Sequence, residues 1–534
     1  MLQANYELDR EQYTDAILQS VAHKKIIVAG PGTGKTFLFG EICKKINGQK
    51  LILSFINELV NDLRQSLSDL AEVRTLHSFA RGMLKADFFV KLTEVIEMDF
   101  KLIFGKNISF KEIFSKLLDG YVDELKFYSD RRKYYAYVGP FCSIYELIKL
   151  FESGIKPIPS YAQLLVDEFQ DFNRLEARLI DLLAQNSPVL LVGDDDQSLY
   201  SFKYAEPDEI RTRHNSGSYE SFQLPYCSRC PEVLVNAVNS LVEKAKKFGF
   251  LKGRLDKVFR YFHSEEKDKI STENPKLFLQ RPVFEKATAF HIEAHVRNIA
   301  EIDKDISVLV ICSLSRQIVP LANDLKRKGF KNIQTPMDRS TLSKEDGYRL
   351  LLKDQNSNLG WRILANFYLV KKDLEEAVKK SIDKEEPFFE HLNQQIKKRV
   401  VCILRILKKI KDNKQITEKE AETIFDEFKY NPTEITVEKI KREIISSTVP
   451  DGSYKSIPIK IVTMLGAKGL TSDYVFLANF DDRFILDRGM ITDENVCKFL
   501  VALTRAKKRL TIFSAQKDTP TFINWLQKDL CEEI

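Results

Sequence analysis

The stretch that decides the fold is KIIVAGPGTGKT, residues 25–36. KIIVA (25–29) is a short apolar run that reads as a strand buried on both faces, and FLFGEICKKI from Phe37 reads as a helix. Between them, Gly30, Gly32 and Gly34 let the backbone turn tightly, so that successive N–H groups, with Pro31 and Thr33 in the same loop, converge on phosphate oxygens. The helix that follows adds the positive end of its dipole. Lys35 can reach β- and γ-phosphates, and Thr36 can place its hydroxyl on Mg²⁺. The pattern usually starts with glycine and starts here with Ala29. A glycine turn that binds nothing is the alternative, and the strand–loop–helix context weighs against it.

The same texture continues outward. KLILSF (50–55), QLLV (163–166) and PVLLV (188–192) are further buried-strand runs, and SVLVI (307–311), IKIVTM (459–464), YVFL (474–477) and LTIF (510–513) form a second set. Two α/β cores with parallel sheets are the natural reading. LLVDEFQDF (164–172) supplies carboxylates at a strand end: Asp167 to hold Mg²⁺ through water, and Glu168 to polarise an attacking water. Two helical stretches interrupt the cores. The expected organisation is a first core from 1–80 and 161–223, a helical insertion over 81–160, a second core from 224–370 and 449–534, and a shorter helical insertion over 371–448. The segment from Lys252 to Asp305 has no assignable pattern.

Composition sets bounds. A length of 534 residues allows roughly three or four folding units. Apolar residues at 44% and charged residues at 30% suit a soluble protein. No run of about 18 uncharged apolar residues is present, so no membrane span is expected, and MLQANYELDR does not read as an export signal. Eight scattered cysteines predict a reducing, cytoplasmic setting. The pair Cys227 and Cys230 lacks a second pair at ligand spacing and reads as small buried thiols. With 82 basic against 76 acidic residues, net charge does not favour nucleic acid; such a partner must be argued from local sites.

Further strings fall in an order that resembles the superfamily 1 helicases of the UvrD/Rep/PcrA type. LDREQ (8–12) resembles the adenine-reading Q motif, with Gln12 offering a donor and an acceptor. LSFINELVNDL from Leu53 resembles motif Ia, TLHSF from Thr75 motif Ib, and DEFQD motif II. VGDDDQSLYSF (192–202) is close to motif III, TMLGAKGL (463–470) resembles motif V, and VALTRAKKRL (501–510) matches motif VI. LPYCSRCP (224–231) aligns with motif IV through Arg229.

The resemblance implies two RecA-like phosphate-loop domains, each with a helical insertion, and ATP with Mg²⁺ as cofactors. Gln197 would touch the γ-phosphate or the attacking water, Gln170 would couple that region to the second core, and Gly469 would face the nucleotide. Arg505 resembles an arginine finger, with Arg229 as its companion. Phe55, Asn57, His77, Phe79, Tyr200, Phe202, Thr463 and Lys468 would contact DNA, by stacking or along the backbone, with packing in the core the alternative for Phe55, Phe79, Tyr200 and Phe202.

Three departures stand out. Leu465 replaces a common histidine and Thr471 a common glutamate in motif V, and Lys203–Tyr204–Ala205 replaces Arg-Gly-Ala after motif III. The implied activity is an ATP-dependent helicase moving 3′ to 5′ on single-stranded and partly duplex DNA. The alternative is a DNA-sensing NTPase that switches a partner; a non-catalytic scaffold is disfavoured by the intact hydrolytic set. After motif VI only a strand and one helix are expected, so any cleavage would come from a separate protein, a nuclease or another partner.

Overall fold

Fifteen strands carry the α/β part of the computed structural model, which describes residues 2–55, 57–199, 204–205, 207–303, 305–336, 342–384, 386–428 and 454–534. In chain order they are β1 Lys24–Ala29, β2 Lys50–Ser54, β3 Glu72–Thr75, β4 Gln163–Val166, β5 Val189–Gly193, β6 Glu220–Leu224, β7 Tyr226–Cys227, β8 Arg260–Tyr261, β9 Leu277–Gln280, β10 Val308–Cys312, β11 Ile333–Gln334, β12 Ile459–Thr463, β13 Ser472–Ala478, β14 Ala506–Phe513 and β15 Cys531–Glu533. The first sheet runs β3-β2-β4-β5-β1-β6 and the second β11-β12-β10-β13-β14-β9-β15. All pairings in both are parallel.

Parallel strands need crossovers that cover both sheet faces, which is why the central strands are apolar without alternation. β10 shows this directly. Its Leu309 and Ile311 pack into one core with Val475, Val501 and Leu510, while Val308, Val310 and Cys312 pack into another with Ile292 and Phe476. In the first sheet Ile27, Ile52 and Leu165 share a core with Phe39 and Leu63. Helix α1 (Leu2–Gln19) precedes β1, and α2 (Lys35–Lys45) follows it. The strands absent from the sequence reading are short, partly polar or at sheet edges, as with β3 (EVRT) and β6 (ESFQL).

Clustering divides the chain into two compact units. One is Met1–Phe79, Ile148–Met337 and Pro450–Ile534, and holds both sheets. The other is Ala80–Leu147 with Asp338–Val449, and is helical. Two corrections to the expected boundaries follow. The first helical segment leaves the helical unit at Leu147, within the helix Pro140–Glu152, not at 160, and the second already includes the helix Lys344–Lys353, before 371. The helix Asn358–Tyr368 buries Trp361 and Leu364 in one core with Val378, Phe388 and Val400, so its apolar face is already used within the helical unit. The two insertions, far apart in sequence, form one body.

That body is tied by a buried charge cluster. Asp99 accepts from Arg131 Nε at 3.1 Å and Nη2 at 3.0 Å, and from Arg362 Nε at 2.7 Å, while Arg131 Nη1 reaches Ser381 at 3.2 Å. Asp99 and Arg362 are fully buried. Burial would raise the Asp99 carboxyl, but the guanidinium groups of Arg362 and Arg131 hold it below its ordinary value. Removing one member of a buried pair strands the other charge. Asp99→Ala is therefore expected to cost the helical unit about 3–5 kcal/mol, read from urea unfolding of the full chain. A loss below about 1 kcal/mol, the size of an exposed pair, would contradict this.

Candidate functional site

The glycine loop leaves β1 and enters α2 with Gly32 at φ +72° and Gly34 at φ +90°. Both are left-handed positions that suit a residue without Cβ. Thr33 donates its hydroxyl to the Gly30 carbonyl at 2.9 Å, closing the turn. A Cβ on Gly32 would stand 2.4 Å from Arg229 Cβ, and one on Gly30 would stand 2.8 Å from the Phe259 ring. The Ser228 N–H donates to the Gly32 carbonyl at 3.0 Å. The segment bearing Arg229 is thus seated on the loop.

Lys35 Nζ pairs with Glu168 Oε1 at 2.8 Å. Burial would lower the Lys35 ammonium, but Glu168 and Asp167 hold it above its ordinary value. Burial would likewise raise the Glu168 carboxyl, and Lys35 and Lys468 hold it well below its ordinary value. Asp167 differs: burial pushes its carboxyl up to about 6 against the pull of Lys35. Its Oδ1 is buried with no hydrogen-bond partner among the described residues, an orphaned acceptor. With the exposed Thr36 hydroxyl, it is a donor set that fits Mg²⁺, a hard cation taking oxygen ligands. Glu168 sits at φ +53°, an uncommon conformation for a bulky residue and one found where a site fixes its geometry.

From Glu168 a relay of hydrogen bonds runs outward. Gln170 Nε2 donates to Glu168 Oε2 at 2.6 Å, and Gln170 Oε1 accepts from the Asp194 N–H at 2.9 Å. Gln197 Nε2 donates to Asp194 Oδ2 at 2.7 Å, and Gln197 Oε1 accepts from Arg505 Nη2 at 3.3 Å. Arg505 is further held by the Val501 carbonyl at 2.8 Å and the Thr504 hydroxyl at 2.9 Å. Burial, helped by Arg229 beside it, pushes the Arg505 guanidinium down to about 9. The structure therefore brings Lys35, Asp167, Glu168, Gln197, Arg229 and Arg505 together.

Several expected roles need correction. Lys468 is buried: its ammonium pairs with Asp171 at 2.7 Å and donates to the Gln197 carbonyl, so it is spent inside the protein and not offered to DNA. Burial pushes the Asp171 carboxyl up to about 7. Phe79, at 3% exposure, is core and offers no face for stacking. Gly469 (φ +81°) lies against Leu59, whose Cδ2 is 2.9 Å from a Cβ placed there, rather than against the glycine loop. Gln12 is exposed on α1. The shallow pocket beside the loop is lined instead by Arg10, Tyr13, Thr14, Phe37 and Tyr226 with Gly34.

Phe55 is half-buried, edge-on to Phe172 at 5.5 Å. His77 is partly exposed, 3.6 Å from Glu176. The Thr463 hydroxyl accepts from the Gly466 N–H at 3.1 Å. Tyr200, Phe202 and the side chain of Asn57 lie outside the described residues. Cys227 and Cys230 are buried free thiols. Sequence reasoning missed Lys257 and Arg254. Lys257 meets Asp195 at 2.7 Å, Asp196 at 2.9 Å and also Asp194, while Arg254 Nε meets Asp196 at 2.8 Å. Burial would lower the Lys257 ammonium, yet these carboxylates hold it above its ordinary value. Both residues fall in the unpatterned segment after Lys252, where no local signal points to aspartates about sixty positions earlier.

A glycine loop at the end of a parallel strand, an acidic pair on a strand two places away and two RecA-like sheets define a phosphate-loop nucleotide-binding protein. A family model described as an AAA domain matches residues 14–203, and one described as a UvrD-like helicase C-terminal domain matches residues 332–517. Similar curated proteins include the ATP-dependent DNA helicase Rep of Buchnera aphidicola subsp. Acyrthosiphon pisum, 36% identical over 100 residues (18% of this chain, 15% of the relative). DNA helicase II of Escherichia coli is 36% identical over 85 residues (16% and 12%). An ATP-dependent helicase/nuclease subunit of Carboxydothermus hydrogenoformans is 24% identical over 260 residues (44% and 21%). The two family models and the helicase relatives together support a UvrD-like superfamily 1 helicase. The matched stretches span about a fifth or less of these relatives' own length. Among the described residues no helix is long and apolar enough to cross a membrane.

Gly32→Ala would force a methyl group against Arg229 at a left-handed position. The strain is about 1–2 kcal/mol before any clash, so ADP affinity is expected to fall at least about tenfold in equilibrium titration. Unchanged affinity would contradict the seating of Arg229 on the loop.

Proposed function

We propose that the chain is an ATP-dependent DNA helicase whose hydrolysis is stimulated by single-stranded DNA and drives 3′-to-5′ movement and duplex unwinding. The observation that carries this reading is the continuous relay from Lys35 through Glu168, Gln170, Asp194 and Gln197 to Arg505. It joins a residue that holds phosphates, a carboxylate that orders water and an arginine at the start of a second-sheet strand.

The chemistry follows from these groups. In the structure Glu168 is held by Lys35 and is a weak base. A bound triphosphate competes for the Lys35 ammonium at its β- and γ-phosphates. Losing that cation raises the Glu168 carboxyl toward the range where it can accept a proton from the attacking water. Gln197, bonded to Arg505, would orient that water, and the desolvated guanidinium would stabilise charge on the transferred phosphoryl group, an effect on the order of 10³-fold. Mg²⁺, when bound, would be held by Thr36 and Asp167 and would supply positive charge to the phosphate oxygens. Since Arg505 and Lys468 both reach Gln197, a strand lying along motifs Ia, Ib, III and V would feel the state of the nucleotide. The polarity and the DNA contacts at Phe55, His77, Tyr200 and Phe202 come from the family resemblance.

A second reading, a motor that serves a partner nuclease without robust unwinding, is favoured by one observation. The relative matched over the longest of the three stretches carries both helicase and nuclease in its name. Assay on a 3′-tailed duplex separates the two: strand separation by the purified chain supports the helicase, and ATP turnover without separation supports the partnered motor. In either case Lys35→Ala is expected to reduce DNA-stimulated ATP hydrolysis at least about 10²-fold, and Arg505→Ala about 10³-fold. Phosphate release at the wild-type rate from either variant would refute the assigned chemistry.

A further inference from the structure

On the wall of the cavity beside the glycine loop stands a cation that no anion among the described residues satisfies. Arg10, Tyr13 and Thr14 lie at helical spacing on one face of α1, in line with the buried Ile17, and all three line the cavity. Gln12 is on a different face. Among the described residues the Arg10 guanidinium makes no hydrogen bond and no ion pair. Its carbon lies over the Phe262 ring, 4.7 Å from the centroid, and Nη2 comes within 3.1 Å of the point where a Cβ on Gly34 would sit. The neighbouring Asp9 does not serve it, because that carboxylate takes the Tyr226 hydroxyl and faces Arg260 at 3.9 Å. Burial alone pulls the guanidinium below the ordinary arginine value, with no carboxylate opposing.

A partly desolvated guanidinium is costly unless an anion meets it, and its planar fork matches phosphate oxygens two at a time. The position narrows which phosphate. Lys35, next after Gly34, is directed at Glu168 and takes the outer phosphates in the proposed mechanism. Half-buried Tyr13 and exposed Phe37 line the same pocket as Arg10 and offer faces to a base and sugar, with the buried Tyr226 behind them. The group joining that sugar to the loop is the α-phosphate.

We propose that Arg10 binds the α-phosphate of the nucleotide held by the glycine loop, a binding residue supplied by α1. This rests on the nucleotide-binding reading of the same site. Because the contact is to phosphate, it is indifferent to the base.

The test compares the full chain with Arg10→Gln and Arg10→Lys by equilibrium titration with ADP and with GDP, and by steady-state ATP hydrolysis. Arg10→Gln is expected to weaken ADP and GDP by the same factor, about tenfold or more. It should raise KM for ATP with little change in kcat, and keep the melting temperature measured without nucleotide. Arg10→Lys should recover most of the affinity, since a point charge still meets phosphate. ADP affinity unchanged in Arg10→Gln would overturn the proposal, and so would a loss confined to ADP, which would place Arg10 on the base. Failure of the unaltered chain to bind either nucleotide would instead bring down the nucleotide reading, and this inference with it.

Discussion

The buried ion pair between Lys35 and Glu168 is the constraint on which the site depends. Two opposite charges out of water are tolerable only when each has a partner and its remaining polar atoms are bonded. Gln170 meets the second Glu168 oxygen, and with Lys35 it keeps a carboxylate ionised where burial alone would neutralise it. The pair also sets the order of events. In the proposed mechanism Lys35 cannot serve phosphates and Glu168 equally, so nucleotide arrival would change the basicity of Glu168 at the moment when a base is needed.

The parallel sheet makes this geometry available. In the order β4-β5-β1 three neighbouring strands each run into a loop at the same edge. β1 gives the glycine loop, β4 gives Asp167 and Glu168, and β5 gives Asp194 through Gln197. Loops at the carboxyl edge of a parallel sheet converge, and the fold gathers residues spread over more than 160 positions. The second sheet contributes from its own connections: Arg505 lies at the junction between the helix Asp493–Leu503 and β14, and Lys468 lies between β12 and β13. Lys257, buried among Asp194, Asp195 and Asp196, fixes the loop that carries Gln197.

What was legible in the sequence was whatever depends on local pattern. The glycine loop, the acidic pair after β4 and the central strands follow from apolar runs and fixed spacing. Motif order pointed to Arg229 and Arg505, although no periodicity could have paired Arg505 with Gln197 some 308 positions away. What stayed hidden depends on tertiary placement. Lys468, aligned with motif V as a DNA contact, is in fact paired with Asp171. Phe79 reads in sequence as either a stacking ring or core, and it is core. Gln12 carries the expected chemistry, but the helical turn of α1 gives the cavity to Arg10 and Tyr13. The helix Asn358–Tyr368 reads as part of an α/β core, because nothing within it says which apolar neighbour it will meet.

The central claim is that the Glu168 end and the Arg505 end act as one unit through Gln170, Asp194 and Gln197. A double-mutant cycle in the DNA-stimulated kcat tests it most directly, with Gln170→Ala, Arg505→Lys and the double variant assayed on the full chain. Residues that act as a unit are strongly non-additive. The account predicts that the double variant is scarcely slower than the slower single variant. A loss equal to the product of the two single losses would mean that the ends act independently, and would contradict the account.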